Sequence, residues 1–255
     1  MPKRLRDLSA FARGCLDFVI HPDWRRGFGG PFNGQDFRRA IFIELVRRIP
    51  FSVIIETGTF RGTTTEFMQH ETQLPVYSVE HSGRGFGFSY LRFLSNRAVR
   101  VFWADSRQAL ARLGRLGSLR GTSPFCYLDA HWDEDLPLAD ELNFIFATWP
   151  RAVAMIDDFK VPDDPGYGFD VYDSTGPLDL EYLRTHLVQP VTPFFPARPS
   201  GEETGYKRGS VVLAHDPDLV GALNSCSNLR AAARIDPANP RPPVERANIV
   251  IVPVG

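Results

Sequence analysis

The chain has 255 residues, of which 43% are apolar, so it is long enough to bury a substantial hydrophobic core. Its 29 basic and 30 acidic residues nearly cancel, which argues against nucleic acid or an anionic membrane as a partner. The sequence contains no apolar run of membrane-spanning length, no signal-peptide pattern and no C-x-x-C pair. We therefore expect a cytoplasmic protein without a disulfide framework.

The first 49 residues are predicted to form a helical extension. The segment "MPKRLRDLSAFAR" has four basic residues and one acidic residue, which is typical of a solvated helix face. After the glycine-rich segment "RRGFGGPFNGQ", apolar residues recur at helical spacing in "QDFRRAIFIELVRRI". Asn33 and Gln35 in the loop either fold over a ligand or form an amide-rich turn. The two helices also offer a surface for homo-oligomer formation.

A regular alternation of strands and helices is predicted from residue 50 onward. Short β-rich apolar runs occur at "FSVIIET", "VYSVEH", "VRVFWADS", "PFCYLDA" and "RAVAMIDDF". Helix-like segments separate them at 63–72, 86–95, 106–116 and 137–148. This order is typical of right-handed βαβ units on a parallel sheet, so the fold class is α/β.

The pattern loosens after residue 160. The segment "KVPDDPGYGFDVYDSTGPLD" predicts a long loop over the carboxyl edge of the sheet. Tyr167, Phe169 and Tyr172 in this loop either line a pocket or pack the loop itself. A helix over about 177–188 and strands near 191–196 and 209–214 complete a main domain at 50–215. Residues 216–255 are predicted to form a partly proline-rich extension, in which "NIVIVPV" is a candidate edge strand.

Several of the predicted strands end in an acidic residue. Because the carboxyl ends of parallel strands meet at one edge of a sheet, these side chains are expected to gather around a ligand. Any one of them can also serve simply as a helix cap. The acids are Glu56, Glu80, Asp105, Asp129, Asp157 and Asp158.

The turn after the first strand, "VIIETGTFRGTTTEF", has the geometry of a ligand-binding loop. A strand, two glycines (Gly58 and Gly62) and a helix bring backbone N–H groups towards a ligand that approaches closely. Thr59 stands where the dinucleotide fingerprint G-x-G-x-x-G has its second glycine, which disfavours a nicotinamide cofactor. The G-K-[ST] sequence of a phosphate-binding P-loop is missing. The turn therefore suits a ligand without phosphates.

The segment "IIETGTFRGTTT" resembles the first motif of class I S-adenosylmethionine-dependent methyltransferases, and the resemblance covers about residues 50–215. It implies a Rossmann-like, doubly wound, seven-stranded sheet of order 3-2-1-4-5-7-6 with the last strand antiparallel. It also implies that S-adenosyl-L-methionine is the cofactor. The residues that it assigns to the cofactor are Glu56, Gly58, Thr59 and Gly62 in the first motif, Glu80 and His81 near the ribose, and Asp105 and Ser106 near the adenine.

The segments "YLDAHW" and "MIDDF" resemble a narrower group, the metal-dependent small-molecule O-methyltransferases. This group includes the catechol and macrolide-sugar types and the related cephalosporin hydroxylases. The resemblance implies a divalent cation such as Mg²⁺ held by Asp129, Asp157 and Asp158, and a small hydroxylated acceptor such as a sugar or natural product. The physics agrees, because three converging carboxylates repel one another unless a cation or protons intervene, and oxygen ligands suit Mg²⁺.

His131, two residues after Asp129, is the predicted general base or substrate contact, although it also fits a helix cap or packing against Trp132. Catechol-type enzymes place a lysine where this chain has Trp132, so Lys160 is a second candidate for the base. Two alternative functions stay open at this point. One is a hydroxylase-type reaction on the same fold, and the other is cofactor binding without turnover.

Overall fold

A computed structural model describes residues 3–131 and 135–238 of the chain. Trp132 and the candidate edge strand "NIVIVPV" lie outside the described residues. Within the described ranges, none of the helices combines the length and apolarity needed to cross a bilayer.

The structure is built on one mixed sheet. Its strands, in chain order, are β1 (Val53–Thr57), β2 (Val76–Glu80), β3 (Val99–Trp103), β4 (Pro124–Leu128), β5 (Val153–Ile156), β8 (Thr192–Pro196), β9 (Val211–Ala214) and β10 (Leu229–Ala231). A separate hairpin, β6 (Val171–Tyr172) and β7 (Gly176–Pro177), lies within the long loop after β5. The sequence predicted this segment only as a loop, because each of its strands has just two residues.

The spatial order of the sheet is β10-β8-β9-β5-β4-β1-β2-β3. Strands β1 to β5 run parallel, whereas β9 is antiparallel to both of its neighbours, β5 and β8. The predicted order 3-2-1-4-5-7-6 with an antiparallel last strand is therefore confirmed. Strand β10 adds an eighth strand beside β8 and comes from the segment 216–255, which the sequence predicted as an extension. Every residue of β1, β2, β4 and β5 is buried, as expected for strands covered on both faces.

Helices cover both faces of the sheet. They are α1 (Lys3–Ile20), α2 (Asp36–Arg48), α3 (Thr63–Thr72), α4 (Gly83–Phe93), α5 (Ser106–Leu113), α6 (Leu138–Thr148), α7 (Leu180–His186) and α8 (Pro217–Asn224). One hydrophobic core lies between the sheet and α5, α6 and α7, and the other lies between the sheet and α2, α3 and α8. Helix α2, which was predicted to belong to the N-terminal extension, therefore contributes to the main core.

Helix α1 packs on α4 at a close distance that two glycines permit. A Cβ atom at Gly14 would overlap the carbonyl oxygen of Arg84, and one at Gly87 would overlap that of Phe11. Helix α4 begins at Gly83, three residues before the predicted start, because Ser82 caps it by accepting a hydrogen bond from the backbone N–H of Gly85. Glycines lower helix propensity, so the sequence pattern alone placed the start of this helix too late.

Candidate functional site

Two adjoining cavities open at the carboxyl edge of the parallel strands. The larger, of about 670 Å³, is lined in part by Asp129, and we call it the Asp129 cavity. The smaller, of about 380 Å³, is lined in part by Glu80, and we call it the Glu80 cavity. Gly58 and Phe60 line both of them. The loop between β1 and α3 is therefore the shared wall of the two spaces.

Glycine is required at both glycine positions of this loop. Gly58 has φ +90° and Gly62 has φ +75°, both in the region that side chains disfavour. A Cβ atom at Gly58 would overlap the carbonyl oxygen of Asp129, and one at Gly62 would overlap the ring of Phe93. Gly58 thus lets the first loop lie directly against the backbone that follows β4.

The other two residues assigned to the first motif, Thr59 and Glu56, differ in their access to the cavities. Thr59 lines the Asp129 cavity, and its hydroxyl lies 2.5 Å from that of Ser78. Glu56 is buried and lines neither cavity. Its carboxylate accepts hydrogen bonds from the hydroxyls of Thr65 (2.5 Å) and Ser78. Burial raises the pKa of Glu56 to about 7. Glu56 therefore ties β1, β2 and α3 together behind the loop.

The Glu80 cavity brings together the four residues predicted to bind the nucleoside part of the cofactor. The Glu80 carboxylate accepts hydrogen bonds of 2.7 Å from the backbone N–H groups of Phe60 and Ser82. Burial raises its pKa. His81, Asp105 and Ser106 line the same space.

Asp105 also has a structural role at this cavity. Its carboxylate accepts the backbone N–H of Arg107 at 3.0 Å and thereby caps α5. It also forms an ion pair with the guanidinium group of Arg107 at 2.8 Å, which lowers the pKa of Asp105. The capping interpretation and the ligand-binding interpretation of this residue are therefore compatible.

In the Asp129 cavity, three side chains form a group with the spacing of metal ligands. Potential ligand atoms of Asp129, His131 and Asp158 all lie within 4.8 Å of one another. His131 is 2% exposed, and neither ring nitrogen has a hydrogen-bond partner among the described residues. Burial lowers the pKa of His131, which favours the neutral imidazole that binds metals. Burial and the neighbouring Asp157 and Asp158 raise the pKa of Asp129 well above its usual range.

The composition of this group differs from the predicted set of three aspartates. Asp157 is completely buried and lies outside the group. Its carboxylate forms an ion pair with Arg38 and accepts hydrogen bonds from Asn33 Nδ2 (3.0 Å) and the Tyr127 hydroxyl (2.7 Å). It also accepts the backbone N–H of Asp158 at 2.7 Å. Asp157 therefore neutralises Arg38 and orients Asp158, while His131, which was predicted as the general base, stands in the group instead.

Residues of the long loop, together with Arg208 before β9, line the Asp129 cavity. Arg208 forms ion pairs with both Asp158 and Asp170. The Tyr172 hydroxyl donates a hydrogen bond of 2.5 Å to the backbone carbonyl oxygen of His131. Phe169 and Tyr172 both line the cavity, which agrees with the first of the two interpretations, that these aromatic residues line a pocket. These contacts fasten the β6–β7 hairpin to the loops that carry the candidate metal ligands.

Three other sequence candidates lie in different surroundings. Tyr167 is 1% exposed and belongs to the hydrophobic core. Lys160 does not line the cavity, and its ammonium group lies 5.5 Å from the ring of Phe169. The side-chain amide of Gln35 forms two hydrogen bonds of 2.9 Å with the backbone N–H and carbonyl oxygen of Arg208. Gln35 therefore positions a residue that lines the cavity.

Sequence reasoning missed Arg38, Tyr127 and Arg208 as members of the site. Arg38 lies in an amphipathic helix, where an arginine is normally solvated, and its partner Asp157 is 119 residues away in the chain. Tyr127 is part of an apolar strand run. Arg208 lies in the polar segment "GYKRGS" before β9. No local signal in the chain identifies any of the three as a partner of the acidic residues.

A buried acid beside the Glu80 cavity should make stability depend on pH. Glu141 is completely buried, and its carboxyl oxygens meet no partner at normal hydrogen-bond geometry among the described residues. Burial raises the pKa of Glu141 to about 7. Because the folded-state pKa exceeds that of the unfolded chain, the folded state binds the extra proton, and stability falls as the pH rises from about 4.5 to 7. The loss is at most about 3–4 kcal/mol, since each pKa unit corresponds to about 1.4 kcal/mol.

Glu141→Gln is therefore expected to be more stable than the wild-type protein at pH 8, with a smaller difference at pH 5. Urea unfolding at both pH values measures this change. Glu202→Gln, at an exposed position, serves as the matched control and should leave the pH profile as it is in the wild type. Equal pH profiles for Glu141→Gln and the wild type would contradict the prediction.

The sheet order is the one that the sequence resemblance to the class I S-adenosylmethionine-dependent methyltransferases implies. Solved structures with a similar fold include a candidate O-methyltransferase from Klebsiella pneumoniae, with 14% identity, a TM-score of 0.49, and coverage of 81% of this chain and 90% of that one. Another is the O-methyltransferase TomG of Streptomyces achromogenes in complex with S-adenosylmethionine (15% identity, TM-score 0.48, 69% of this chain and 79% of that one).

A third similar structure is an O-methyltransferase from Bacillus cereus in complex with S-adenosylhomocysteine, with 17% identity, a TM-score of 0.47, and coverage of 70% of this chain and 81% of that one. At these identities the likeness is one of fold alone. No protein-family model matches the chain, and no curated protein matches its sequence.

Proposed function

We propose that the protein is a methyltransferase that uses S-adenosyl-L-methionine to methylate a hydroxyl oxygen of a small acceptor, with a divalent cation at the acceptor site. The observation that carries the proposal is the shared wall formed by Gly58 and Phe60 between the two cavities. A nucleoside in the Glu80 cavity would extend across this wall into the Asp129 cavity. The partner is accordingly a small molecule rather than a nucleic acid or a membrane.

Residues of the Glu80 cavity suit a nucleoside. The Glu80 carboxylate keeps lone pairs beyond the two backbone N–H groups that it accepts, and two ribose hydroxyls are matching donors. Ser106 supplies a hydroxyl to the lining of the same space. Phe60 and Gly58 hold the loop between the cavities in place. When bound, S-adenosylmethionine would supply an electrophilic methyl group.

The residues of the Asp129 cavity fit a divalent cation. The candidate ligands are two carboxylates and one imidazole whose ring nitrogens have no hydrogen-bond partner in the described parts of the chain. An imidazole nitrogen extends the preference from Mg²⁺ towards Mn²⁺, Fe²⁺ or Zn²⁺. We therefore assign His131 as a ligand rather than as the general base. When bound, the cation supplies positive charge that lowers the pKa of an acceptor hydroxyl.

The surrounding residues hold these ligands in place. Arg208 fixes one oxygen of Asp158, and the Asp157 carboxylate fixes the Asp158 backbone N–H. Tyr172 binds the backbone carbonyl oxygen of His131 from the hairpin side. Residues that orient ligands in this way usually affect metal affinity nearly as much as the ligands do.

Calorimetric titration with S-adenosylhomocysteine tests the cofactor assignment. We expect the wild-type protein to bind S-adenosylhomocysteine and not NADH, and Glu80→Gln to bind it at least about tenfold more weakly, because a charge-assisted hydrogen bond contributes about 1.5–3 kcal/mol. Glu71→Gln, at an exposed position, is the matched control. Failure of the wild-type protein to bind S-adenosylhomocysteine would remove the proposal.

Turnover separates an enzyme from a binding protein on the same fold. Release of S-adenosylhomocysteine from S-adenosylmethionine is measured with a panel of hydroxylated acceptors, after chelation and after re-addition of Mg²⁺ or Mn²⁺. The proposal requires release that depends on both the acceptor and the cation. Binding of the cofactor without release from any acceptor would favour a non-catalytic protein.

A further inference from the structure

The lining of the Asp129 cavity includes an arginine that the proposed reaction does not use. Arg61 follows Phe60 in the loop between β1 and α3 and lines this cavity. Its guanidinium carbon lies 4.3 Å from the ring centroid of Trp24 and 4.7 Å from that of Phe60. Two aromatic rings therefore hold the planar cation in one orientation.

Arg61 has no ion-pair partner among residues 3–131 and 135–238. The cavity lining includes one further arginine, Arg208, whose charge is matched by Asp158 and Asp170. The nearby Asp17 is already paired with Arg84 at 2.6 Å. Burial and the charge of Arg84 lower the pKa of Arg61, and the charge of Asp17 offsets this effect only in part.

Aromatic side chains stand beside this cation at the cavity. The rings of Phe28 and Phe60 are stacked, with centroids 5.4 Å apart and an interplanar angle of 10°. Tyr206 meets Phe28 edge to face at 5.7 Å and is 62% exposed. Phe28 is 39% exposed, although it is a large apolar side chain. Exposed aromatic surface that lines a concave space is typical of a site for a flat apolar ligand.

The cavity thus has two chemically different parts. The ends of β4 and β5 supply Asp129, His131 and Asp158, and the β1–α3 loop and its neighbours supply a cation and aromatic rings. We propose that Arg61 binds a carboxylate of the acceptor, which is a planar, hydroxylated carboxylic acid. The guanidinium group offers two parallel N–H donors that match a carboxylate. This inference rests on the proposed function, because it names the acceptor class of the same site.

Two molecules could supply the carboxylate that binds Arg61. One is the acceptor, and the other is the cofactor, whose amino-acid part also carries a carboxylate. The aromatic wall favours the acceptor, because the amino-acid part of S-adenosylmethionine has no flat apolar surface to stack. An experiment that measures cofactor affinity and acceptor affinity separately distinguishes the two sources.

The experiment is a calorimetric titration of the full-length protein, saturated with S-adenosylhomocysteine and Mn²⁺. The probes are 3,4-dihydroxybenzoate and 3,4-dihydroxybenzamide, which share the ring and hydroxyls and differ in the charge of one group. We expect wild-type protein to bind the benzoate at least about tenfold more tightly than the benzamide, and Arg61→Gln to lose this preference. Arg61→Lys, which keeps the charge, should retain part of it.

Arg100→Gln is the matched control, because Arg100 is an exposed arginine that also lies near an aromatic ring, that of Tyr77, but does not line the cavity. It should keep the wild-type preference. Equal affinity of wild-type protein for the two probes, or an unchanged preference in Arg61→Gln, would overturn the inference. Weaker binding of S-adenosylhomocysteine by Arg61→Gln with an unchanged probe preference would assign the carboxylate to the cofactor. Failure of wild-type protein to bind S-adenosylhomocysteine at the outset would count against the proposed function itself.

Discussion

Asp158→Asn is expected to lower kcat by at least about 100-fold while S-adenosylhomocysteine binds with nearly wild-type affinity. A cation at a reacting oxygen contributes several kcal/mol of charge stabilisation, and each 1.4 kcal/mol corresponds to a tenfold change in rate. Asp158 has φ +55°, which asparagine tolerates as well as aspartate, so the substitution changes charge with little backbone strain. Asp158 belongs to the Asp129 cavity and not to the Glu80 cavity, so the cofactor site should be spared.

The matched control for this substitution is Asp163→Asn. Asp163 is exposed and also has a positive φ, of 65°, so it tests the same chemical change in the same backbone conformation away from the site. The measurements are the rate of S-adenosylhomocysteine release at saturating Mn²⁺ and the calorimetric affinity for S-adenosylhomocysteine. A wild-type rate in Asp158→Asn would remove the metal site from the proposal. Loss of affinity for S-adenosylhomocysteine would show that Asp158 supports the cofactor instead.

Arg38→Met is expected to lower the free energy of unfolding by about 3–5 kcal/mol, because it leaves the Asp157 carboxylate buried without its cation. Both side chains are essentially inaccessible to solvent, at 1% and 0% exposure. Arg38 also donates to the backbone carbonyl oxygens of Arg208 and Gly209. Its removal therefore takes one donor away from each of three acceptors, although each keeps at least one other hydrogen bond. Urea unfolding at neutral pH measures the loss.

Arg39→Met, at the next position of the same helix, is the control. Arg39 pairs with Asp36 at the surface, where an ion pair contributes about 0–1 kcal/mol, so its loss should be small. Asp157→Asn in the Arg38→Met background should restore part of the lost stability, since the uncompensated charge is then removed. Similar effects of Arg38→Met and Arg39→Met would contradict a buried ion pair.

The sheet was predictable because its signals are local. Apolar runs such as "VIIET" and "FCYLD" are short and bounded by polar residues, and helical segments of regular length separate them. The helix predicted at 63–72 forms as Thr63–Thr72. Strand β10 was not predicted, because three residues with one half-buried and one exposed position leave no clear apolar period. The β6–β7 hairpin was missed for the same reason.

The candidate metal group shows where local signals end. The sequence places two aspartates side by side after β5, and nothing in the sequence distinguishes one from the other as a ligand. In the fold, Asp157 continues the buried side of the strand and meets Arg38, whereas Asp158 turns into the cavity with a positive φ. His131 joins the group through the path of the loop after β4. Which of the two aspartates faces a ligand is thus decided by side-chain direction and by a helix more than 100 residues earlier in the chain.

Apolar periodicity, the glycines of the first loop and the acids at the strand ends by themselves determined the fold class and the edge at which a site would lie. These features act through neighbouring residues and through the rule that parallel strands end together. Only the tertiary structure decided that Asp157 is matched by Arg38, that His131 stands with Asp129 and Asp158, and that Arg61 has no ion-pair partner among the described residues. Charge pairing depends on distances between segments that are remote in the chain, and no pattern within a single segment encodes those distances.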